Sequence, residues 1–406
     1  MRGTVLDKIL RSHSHAKTIQ PDEVIPLHID TLLIPDNAAM PIFEIMEHEY
    51  LKPQHKNIYL ALTHYHYQHE PGYSQKQRRI IDLARKYQFH ILDNNKGLWN
   101  TNLWEKGIIR PGSTFLARDS TVNYFAPLNN LNISSGIHDI FKTIVTQTYD
   151  FVVPEVIKVT LTGLLHPYVG GKDIALFLKR ELSNLVVSRS FILEFAGPLL
   201  SQLSDQDLFD LSLHHYTMNR AAFIFPPLPQ IIQDHEGVFP DDIAEYHKSY
   251  GFDLTELTSL IDVNGVIMEL SEMVGKRIDR IYIGNSVGGS LDDMKFLAEV
   301  LRDKKVLVTC YITPSSNKVL QQATEQGYLS TILHSGCILL TPATGICSAI
   351  NDHVPLAGDI VLATGYNDLS IQLKEVVGSF YNASISTVIA SAITGVITPI
   401  EEILGC

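Results

Sequence analysis

The feature that most constrains the fold of this 406-residue chain is an alternation of short apolar runs with longer amphipathic ones. Ile58 to Thr63 (IYLALT) predicts a strand, Ser74 to Tyr87 a helix and Phe89 to Leu92 another strand. Strand-like runs with helical patterns between them return at residues 281–284, 305–309 and 337–340. Strands that alternate with helices are typical of a doubly wound α/β fold with mainly parallel sheets.

Composition excludes several classes of function. Apolar residues make up 45% and charged residues 19% of the chain, which is typical of a globular protein with a sizeable core. The net charge of -12 argues against nucleic acid or an anionic membrane as a partner, because those need clustered Lys and Arg. The first residues lack the apolar core of a secretory signal, and no run of about eighteen apolar residues occurs. We therefore expect a cytoplasmic protein.

Local signals predict further elements. The first residues (TVLDKILRSH) predict an amphipathic helix, and another helix is predicted from Leu291 to Arg302 with acidic residues in its first turn. The Pro-rich and acidic stretch from Phe225 to Asp242 predicts a surface connection between domains. The cysteines match neither a zinc ribbon nor a disulfide framework, so we expect reduced thiols at Cys310, Cys337, Cys347 and Cys406.

Two loops carry a resemblance to a known family. Ile283 to Asp293 (IGNSVGGSLDD) and Pro342 to Ala349 (PATGICSA) resemble the cluster-binding loops of the aconitase and 3-isopropylmalate dehydratase large-subunit family, whose patterns are roughly GSCTN and PGCxxC. Val153 to Ile174 is similar to the family's VPxxIKVxLxG…KDI segment, and the likeness covers nearly the whole chain. It implies a three-domain aconitase-like α/β/α fold without the swivelling fourth domain, with domains at residues 1–155, 156–262 and 263–406.

The same resemblance indicates that the family's reactive residues have been replaced. In the family, three cysteines hold a 4Fe–4S cluster that acts as a Lewis acid on a hydroxy acid. Here Ser286 and Thr344 stand at two of those positions, and Cys347 remains. Hydroxyl groups are poor ligands for such a cluster, and one thiolate cannot hold it. We therefore expect a divergent paralogue without a 4Fe–4S cluster or another cofactor.

Candidate site residues also follow from the resemblance. The family's DH pair becomes Thr63 and His64, and its DSH motif becomes Asp119, Ser120 and Thr121. The run whose arginines hold substrate carboxylates becomes GYNDL at residues 365–369, without either arginine. The predicted catalytic residues are His64, Asp119, Ser120 and Cys347. The predicted substrate-binding residues are Asn100, Thr121, Ser286, Thr344 and Asn367.

Each of these residues has a plainer interpretation. Asp119 and Ser120 fit a turn and helix cap, where short polar side chains bind backbone amides. Cys347 fits a buried, unreactive thiol left over from ancestry.

A histidine-rich run offers a metal site as an alternative. On a strand, His64 and His66 project to one face about 6.6 Å apart, and His69 returns from the following turn. Such a set can bind a divalent metal, whereas the plainer interpretation is solvated or hydrogen-bonded histidines at a strand end.

Two functions are consistent with this sequence. The first is a cluster-free aconitase-like or isopropylmalate dehydratase-like lyase, repurposed as a hydro-lyase or isomerase for a small organic acid or derivative. The second is a non-catalytic paralogue, a pseudoenzyme that serves as a metabolite-binding or scaffolding subunit. In the family a fourth domain or separate small subunit completes the site, so a small-subunit partner is also expected.

Overall fold

The computed structural model describes residues 3–16, 19–62, 71–92, 97–119, 121–182, 191–213, 222–233, 235–284, 288–342, 353–365 and 377–405, with backbone alone at 71–73. The chain divides into two compact units. The first unit consists of residues 1–93, 103–164 and 184–254, and the second of residues 94–102, 165–183 and 255–406.

Two parallel sheets and a short antiparallel ribbon form the first unit. The strands are β1 (Val24–His28), β2 (Thr31–Pro35), β3 (Ile58–Ala61), β4 (His90–Leu92), β5 (Thr114–Ala117), β6 (Leu131–Ser134), β7 (Thr148–Val152), β8 (Glu155–Thr162), β9 (Phe191–Ala196), β10 (Ala222–Ile224) and β11 (Lys248–Asp253). The first sheet has the order β4-β3-β2-β5-β6 and the second the order β10-β9-β8-β11. All pairs within both sheets are parallel, and β1 pairs antiparallel with β7.

One mixed sheet forms the second unit. Its strands are β12 (Leu260–Val263), β13 (Val266–Glu269), β14 (Arg280–Gly284), β15 (Thr309–Thr313), β16 (Ile338–Leu339), β17 (Ile360–Ala363) and β18 (Ser379–Ala383). The order is β13-β12-β18-β17-β14-β15-β16. From β18 to β16 the pairs are parallel, and β12 with β13 forms an antiparallel edge.

Helices connect the strands, as the sequence pattern predicts. They are α1 (Val5–His13), α2 (Asp36–His48), α3 (Pro71–Lys86), α4 (Trp99–Glu105), α5 (Ile137–Thr146), α6 (Gly171–Leu182), α7 (Asp205–Leu213), α8 (Pro229–Ile232), α9 (Leu291–Val300), α10 (Asn317–Glu325), α11 (Tyr328–His334), α12 (Ile385–Thr394) and α13 (Ile400–Leu404). Short 3-10 helices lie at Val122–Leu128, Pro198–Gln202 and Leu270–Glu272.

Helix α1 shows how local sequence and packing act together. Thr4 and Asp7 form a capping box, which satisfies two backbone amides at the helix start. Val5, Leu6, Ile9 and Leu10 form one fully buried face in the core of the first unit. The carboxylate of Glu194 on β9 accepts the Val5 amide at 3.0 Å, so the helix is fixed to the second sheet.

The stretch from Phe225 to Asp242 differs from the expected surface connection. It begins with buried side chains at Phe225, Leu228, Ile231 and Ile232. The buried Asn129 amide group donates to the carbonyls of Phe225 (2.8 Å) and Val238 (3.1 Å) and accepts the Val238 amide at 2.6 Å. Because this buried amide makes three hydrogen bonds, the stretch is bound to the first unit at Phe225 and Val238, although part of it, such as Phe239 at 61% exposure, lies at the surface.

Most predicted elements are confirmed, and one strand is misplaced. The first helix, the strands near residues 58, 90, 281 and 338 and the helix that begins at Leu291 are present. The strand predicted at residues 305–309 begins instead at Thr309. The Val306 and Leu307 amides donate to the carbonyls of Ser335 and Ala392, outside the ladder, and Leu307 is 72% exposed.

The three sheets follow the order of the three predicted domains. The first sheet lies within residues 31–134, the second within 155–253 and the third within 260–383. The division into three domains at the predicted boundaries stays a prediction. Among the described helices, none is both long and apolar enough to cross a membrane.

Candidate functional site

Each unit has a point where the strand order of a parallel sheet reverses. In the first sheet the chain runs from β2 outward to β4 and then returns to β5 and β6 on the other side. In the third sheet it runs from β14 outward to β16 and then returns to β17 and β18. Crevices at the carboxyl ends of such strands are the usual ligand sites of open α/β sheets. The site is therefore expected after β5 in one unit or after β14 and β17 in the other.

A cavity of about 740 Å³ lies in the first unit beside the carboxyl ends of β5 and β6. This volume lies in the range of small-molecule sites. Arg118 and Asp119 lie on its rim, and Ser134 faces it from the end of β6. Its apolar walls include Phe151 from β7 and Phe191 from β9, both at least nine-tenths buried.

Asp119 lies at the cavity with its two carboxylate oxygens in different environments. Oδ1 accepts the backbone amide of Thr121 at 2.7 Å and the Thr121 hydroxyl at 2.6 Å. No described residue donates to Oδ2. Thr121 thus holds the carboxylate in a tight turn before the 3-10 helix Val122–Leu128, which agrees with the turn interpretation, while the helix itself has no side-chain cap. One oxygen is without a donor among the described residues.

Arg118 is a site residue that the sequence reasoning missed. It follows the last residue of β5 directly, and its side chain is exposed at the cavity. The signal was its place between a buried strand and Asp119, but an isolated Arg in a sequence is usually a solvated charge.

Asn100 occupies a different environment. It lies in α4, 2% exposed, and its Oδ1 accepts the Thr101 amide at 2.9 Å. This bond satisfies an amide in the first turn of the helix, where backbone donors lack helical partners. The role of Asn100 in substrate binding stays a prediction.

Most other predicted site residues lie outside the described residues. This is the case for the predicted catalytic His64, Ser120 and Cys347, the predicted binding residues Ser286, Thr344 and Asn367, and the metal candidates His66 and His69 together with His64. In the described part of the chain, no three His, Cys, Asp or Glu side chains come together as a metal site.

In the second unit, several described polar groups at the reversal point bind one another, while the buried Oδ1 of Asn382 has no described partner. The Thr364 hydroxyl accepts the Gly284 amide at 3.0 Å, which connects the ends of β17 and β14. The Nζ of Lys172 on α6, with 4% of the residue exposed, donates to the Thr364 carbonyl. The Asn382 side chain on β18 donates to the Gly365 carbonyl. Sequence reasoning treated Lys172 as part of a structural segment and did not single it out.

Two cysteines of the second unit contact each other in its core. Cys310 on β15 and Cys337 before β16 are both buried, and their thiols are hydrogen-bonded. The contact with Cys337 and burial raise the pKa of the Cys310 thiol well above its usual value. They lie near the amino ends of their strands, and Cys310 precedes the end of β15 by three residues, about 10 Å of strand.

The fold and this arrangement define a doubly wound α/β protein with a polar cavity at the strand ends of its first sheet. The model of the aconitase family (aconitate hydratase) matches residues 7–211 and 252–395. The chain therefore belongs to the aconitase family.

Relatives and a solved structure agree with this membership. The homoaconitase large subunit of Thermus thermophilus is 25% identical, and the alignment covers 99% of this chain and 98% of that protein. The 3-isopropylmalate dehydratase large subunit of Metallosphaera sedula is 26% identical over 99% of this chain and all of that protein. The crystal structure of aconitase X from Thermococcus kodakaraensis has a TM-score of 0.52 at 13% identity, over 84% of this chain and 83% of that one. The predicted family and its aconitase-like α/β fold are thus confirmed.

Proposed function

We propose that the protein is a cluster-free member of the family that binds a small organic acid or derivative and acts on it as a hydro-lyase or isomerase. The observation that carries the catalytic part is Asp119, which lies on a cavity of suitable size with Oδ1 held by Thr121 and Oδ2 without a donor among the described residues. The relatives named as homoaconitase and 3-isopropylmalate dehydratase support the class of reaction.

The chemistry of the donor set supports the absence of a 4Fe–4S cluster. The chain has four cysteines, and a family-type cluster needs three thiolates at one point. Cys310 and Cys337 bind each other inside the core of the second unit. This leaves Cys347 and Cys406, so three thiolates cannot meet without breaking that core. The residues present do not fit the cluster, and no step of the proposed reaction passes through it.

A carboxylate placed as Asp119 is can move a proton. It can remove the proton on the carbon next to an acid group. In a dehydration, the electron pair of that C–H bond becomes the double bond, and the neighbouring hydroxyl group leaves as water after it receives the proton from Asp119, which returns to its carboxylate form. In an isomerisation the proton returns to a different carbon. His64, Ser120 and Cys347 stay predicted participants in these steps.

The test compares Asp119→Asn with the wild-type protein on a panel of hydroxy acids and their unsaturated products. The variant keeps an oxygen that can accept from Thr121, so the fold and binding should persist. Loss of the proton acceptor should lower turnover about 10²- to 10⁴-fold, as for other general bases. Asp139→Asn, an exposed carboxylate of the same unit that accepts from Ser135 at 2.6 Å, is the control. Equal turnover by Asp119→Asn and wild type would reject the catalytic role.

Cofactor content has its own test. Protein purified without oxygen should contain no stoichiometric iron or sulfide and no visible absorption band of a cluster. Elemental assay of the same sample also reports on a divalent metal at His64, His66 and His69. A full complement of iron and sulfide would overturn the cluster-free proposal.

The second candidate function is that of a non-catalytic metabolite-binding or scaffolding subunit. The reversal point of the second unit favours it, because the Thr364 and Gly365 carbonyls and the Thr364 hydroxyl there are bound by described neighbours. A ligand that binds tightly and is recovered unchanged after long incubation would support this function, and turnover would reject it.

Partner and location are part of the proposal. The relatives are named as large subunits, which supports a small-subunit partner that completes the site. Co-purification with a small subunit encoded by the same source, measured by size-exclusion chromatography, tests it. A cytoplasmic location agrees with the sequence expectation and stays a proposal.

A further inference from the structure

The cavity of the first unit combines one positive charge with apolar side chains and with the neutral polar side chains of Asn123, Asn132, Ser134 and Ser135. Among its described lining residues, Arg118 is the cation and Asp119 the anion, and the others are apolar or neutral. Phe151 and Phe191 are buried behind its surface, while Tyr149 and Val152 of β7 are more open. A site of this composition suits a ligand with an apolar body and a charged end.

The backbone of Arg118 is fixed by its neighbours. Ala117 pairs with Leu33 of β2 and with Ser134 of β6, and its carbonyl accepts the Ser135 amide at 3.0 Å. The guanidinium thus starts from a rigid strand end and not from a mobile loop. Such placement lowers the entropy lost on binding.

No described partner engages the Arg118 guanidinium. It forms no ion pair or hydrogen bond with Asp119 or with another residue in the described part of the chain. An Arg fork binds a carboxylate through two parallel N–H···O bonds, which are among the stronger polar contacts in proteins. A ligand carboxylate would supply the hydrogen-bond acceptors that no described residue provides to the Arg118 guanidinium.

Asp119 limits how much negative charge the ligand can carry. A second carboxylate near Arg118 would face Asp119 without a further described cation to offset the repulsion. A single carboxylate is neutralised by Arg118, and the remainder of the molecule can lie against the aromatic walls.

We propose that Arg118 binds the carboxylate of a monocarboxylic acid whose apolar body fills this cavity. This inference rests on the proposed function for the class of ligand, a small organic acid, and narrows that class to acids with one carboxylate. The sequence has no Arg at residues 365–369, where the family's carboxylate-binding arginines are expected, and Arg118 would supply that charge instead.

The experiment measures binding rather than turnover. Isothermal titration calorimetry of the full chain compares 4-phenylbutanoate with its neutral amide, which has the same body and no charge. We expect the acid to bind about tenfold or more tightly than the amide, and Arg118→Gln to remove this preference. Arg118→Lys should keep part of it, because the charge remains and the fork is lost. Arg110→Gln, an exposed Arg of the same unit outside the cavity, should keep all of it.

The outcomes that overturn the inference are specific. Equal binding of acid and amide, no binding of either at millimolar concentration, or the same loss in Arg110→Gln would each reject it. Tighter binding of isopropylmalate or inorganic phosphate than of the monocarboxylate would reject the single-charge preference. Acid-selective binding without turnover would keep this inference while rejecting the proposed catalysis.

Discussion

The two reversal points of the parallel sheets use polar residues in opposite ways. After β5, Arg118 has no described partner and Asp119 keeps one oxygen without a described donor beside a cavity. After β14 and β17, the Gly284 amide and the Lys172 Nζ both bind Thr364, and the Lys172 residue is 4% exposed. The mutually bound polar groups after β14 and β17 stabilise the fold, whereas those after β5 remain available to a ligand.

This contrast makes stability and ligand binding separable. Substitutions after β14 and β17 should cost folding free energy, whereas substitutions after β5 should affect ligands and leave stability nearly unchanged. The measured differences in unfolding free energy should therefore fall in a definite order.

The largest effect is expected for Gly284→Ala. Gly284 has φ of +81°, and a Cβ there would lie 2.1 Å from the carbonyl oxygen of Thr313 on the neighbouring strand. Because the carbonyl group of Thr313 belongs to the backbone and cannot rotate away, β14 and β15 must separate. This separation should cost more than about 3 kcal/mol. Urea unfolding of the second unit measures this cost.

Gly275→Ala is its matched control. Gly275 has the same φ of +81°, and a Cβ there meets nothing within 4 Å. The substitution should cost about 1 kcal/mol, which is the conformational penalty alone. If both variants lose the same free energy, the close approach at the reversal point has no energetic weight.

The second effect is expected for Lys172→Met. Methionine fills a similar volume but removes the donor to the Thr364 carbonyl inside a buried region. The unfolding free energy should fall by about 1–3 kcal/mol. Lys295→Met, on an exposed face of α9, should change it by less than about 0.5 kcal/mol. A neutral result for Lys172→Met would place this residue among the groups available to a ligand.

The third effect is a pH dependence in the first unit. His13 Nε2 lies 2.8 Å from Asp30 Oδ2, and its Nδ1 lies 2.8 Å from the Ile9 carbonyl. Burial opposes the charged ring, but the bonds to Asp30 and Ile9 outweigh it, so the pKa of His13 is raised. Burial likewise opposes the Asp30 carboxylate, but the bonds from His13 and Thr114 outweigh it and lower the pKa of Asp30.

The signs of the two pKa shifts define the pH range in which this ion pair stabilises the fold. The His13 contribution is complete below its ordinary pKa of 6.5 and is lost as pH rises through the raised pKa. The Asp30 contribution is present above 3.8 and is lost as pH falls through the lowered pKa. Wild-type stability should thus decline by about 1 kcal/mol or less as pH rises from 6.5 through the raised pKa of His13, since the pair is partly exposed. His13→Gln should lack this decline, whereas His48→Gln, 84% exposed at its side chain, should keep it.

The smallest effect is expected after β5. Asp119→Asn keeps an acceptor for Thr121, and Arg118→Gln removes no described contact. Each should change the unfolding free energy by less than about 0.5 kcal/mol. A loss as large as that of Lys172→Met would remove the distinction between the two reversal points.

Much of the fold follows from sequence periodicity because the elements are long and their faces differ clearly. The strand predicted at residues 305–309 begins too early, because the apolar run Val306 to Val308 is equally compatible with a connection between elements. The Val306 and Leu307 amides bind the carbonyls of Ser335 and Ala392, which no local sequence pattern predicts. The stretch after Phe225 lies at the surface only in part, because one buried side chain, Asn129, binds it from about a hundred residues away.

The site was accessible from sequence only in part. Asp119 was singled out through a family motif, and its turn bond to Thr121 agrees with the plainer turn interpretation. Arg118 was not found, because its importance depends on walls from β6, β7 and β9 that distant parts of the chain supply. Lys172 was passed over because burial of a lysine cannot be inferred from a charged residue at a helix start.

The paired thiols in the second unit also provide a reporter of its opening. Every cysteine of the chain lies after residue 309, so the first unit contains none. Cys310 is fully buried, and its raised pKa keeps it protonated and therefore unreactive. A thiol reagent can thus label Cys310 only when the second unit opens. The rate of native-state labelling at Cys310 therefore measures the opening of the second unit, and the first unit contributes no signal because it contains no cysteine.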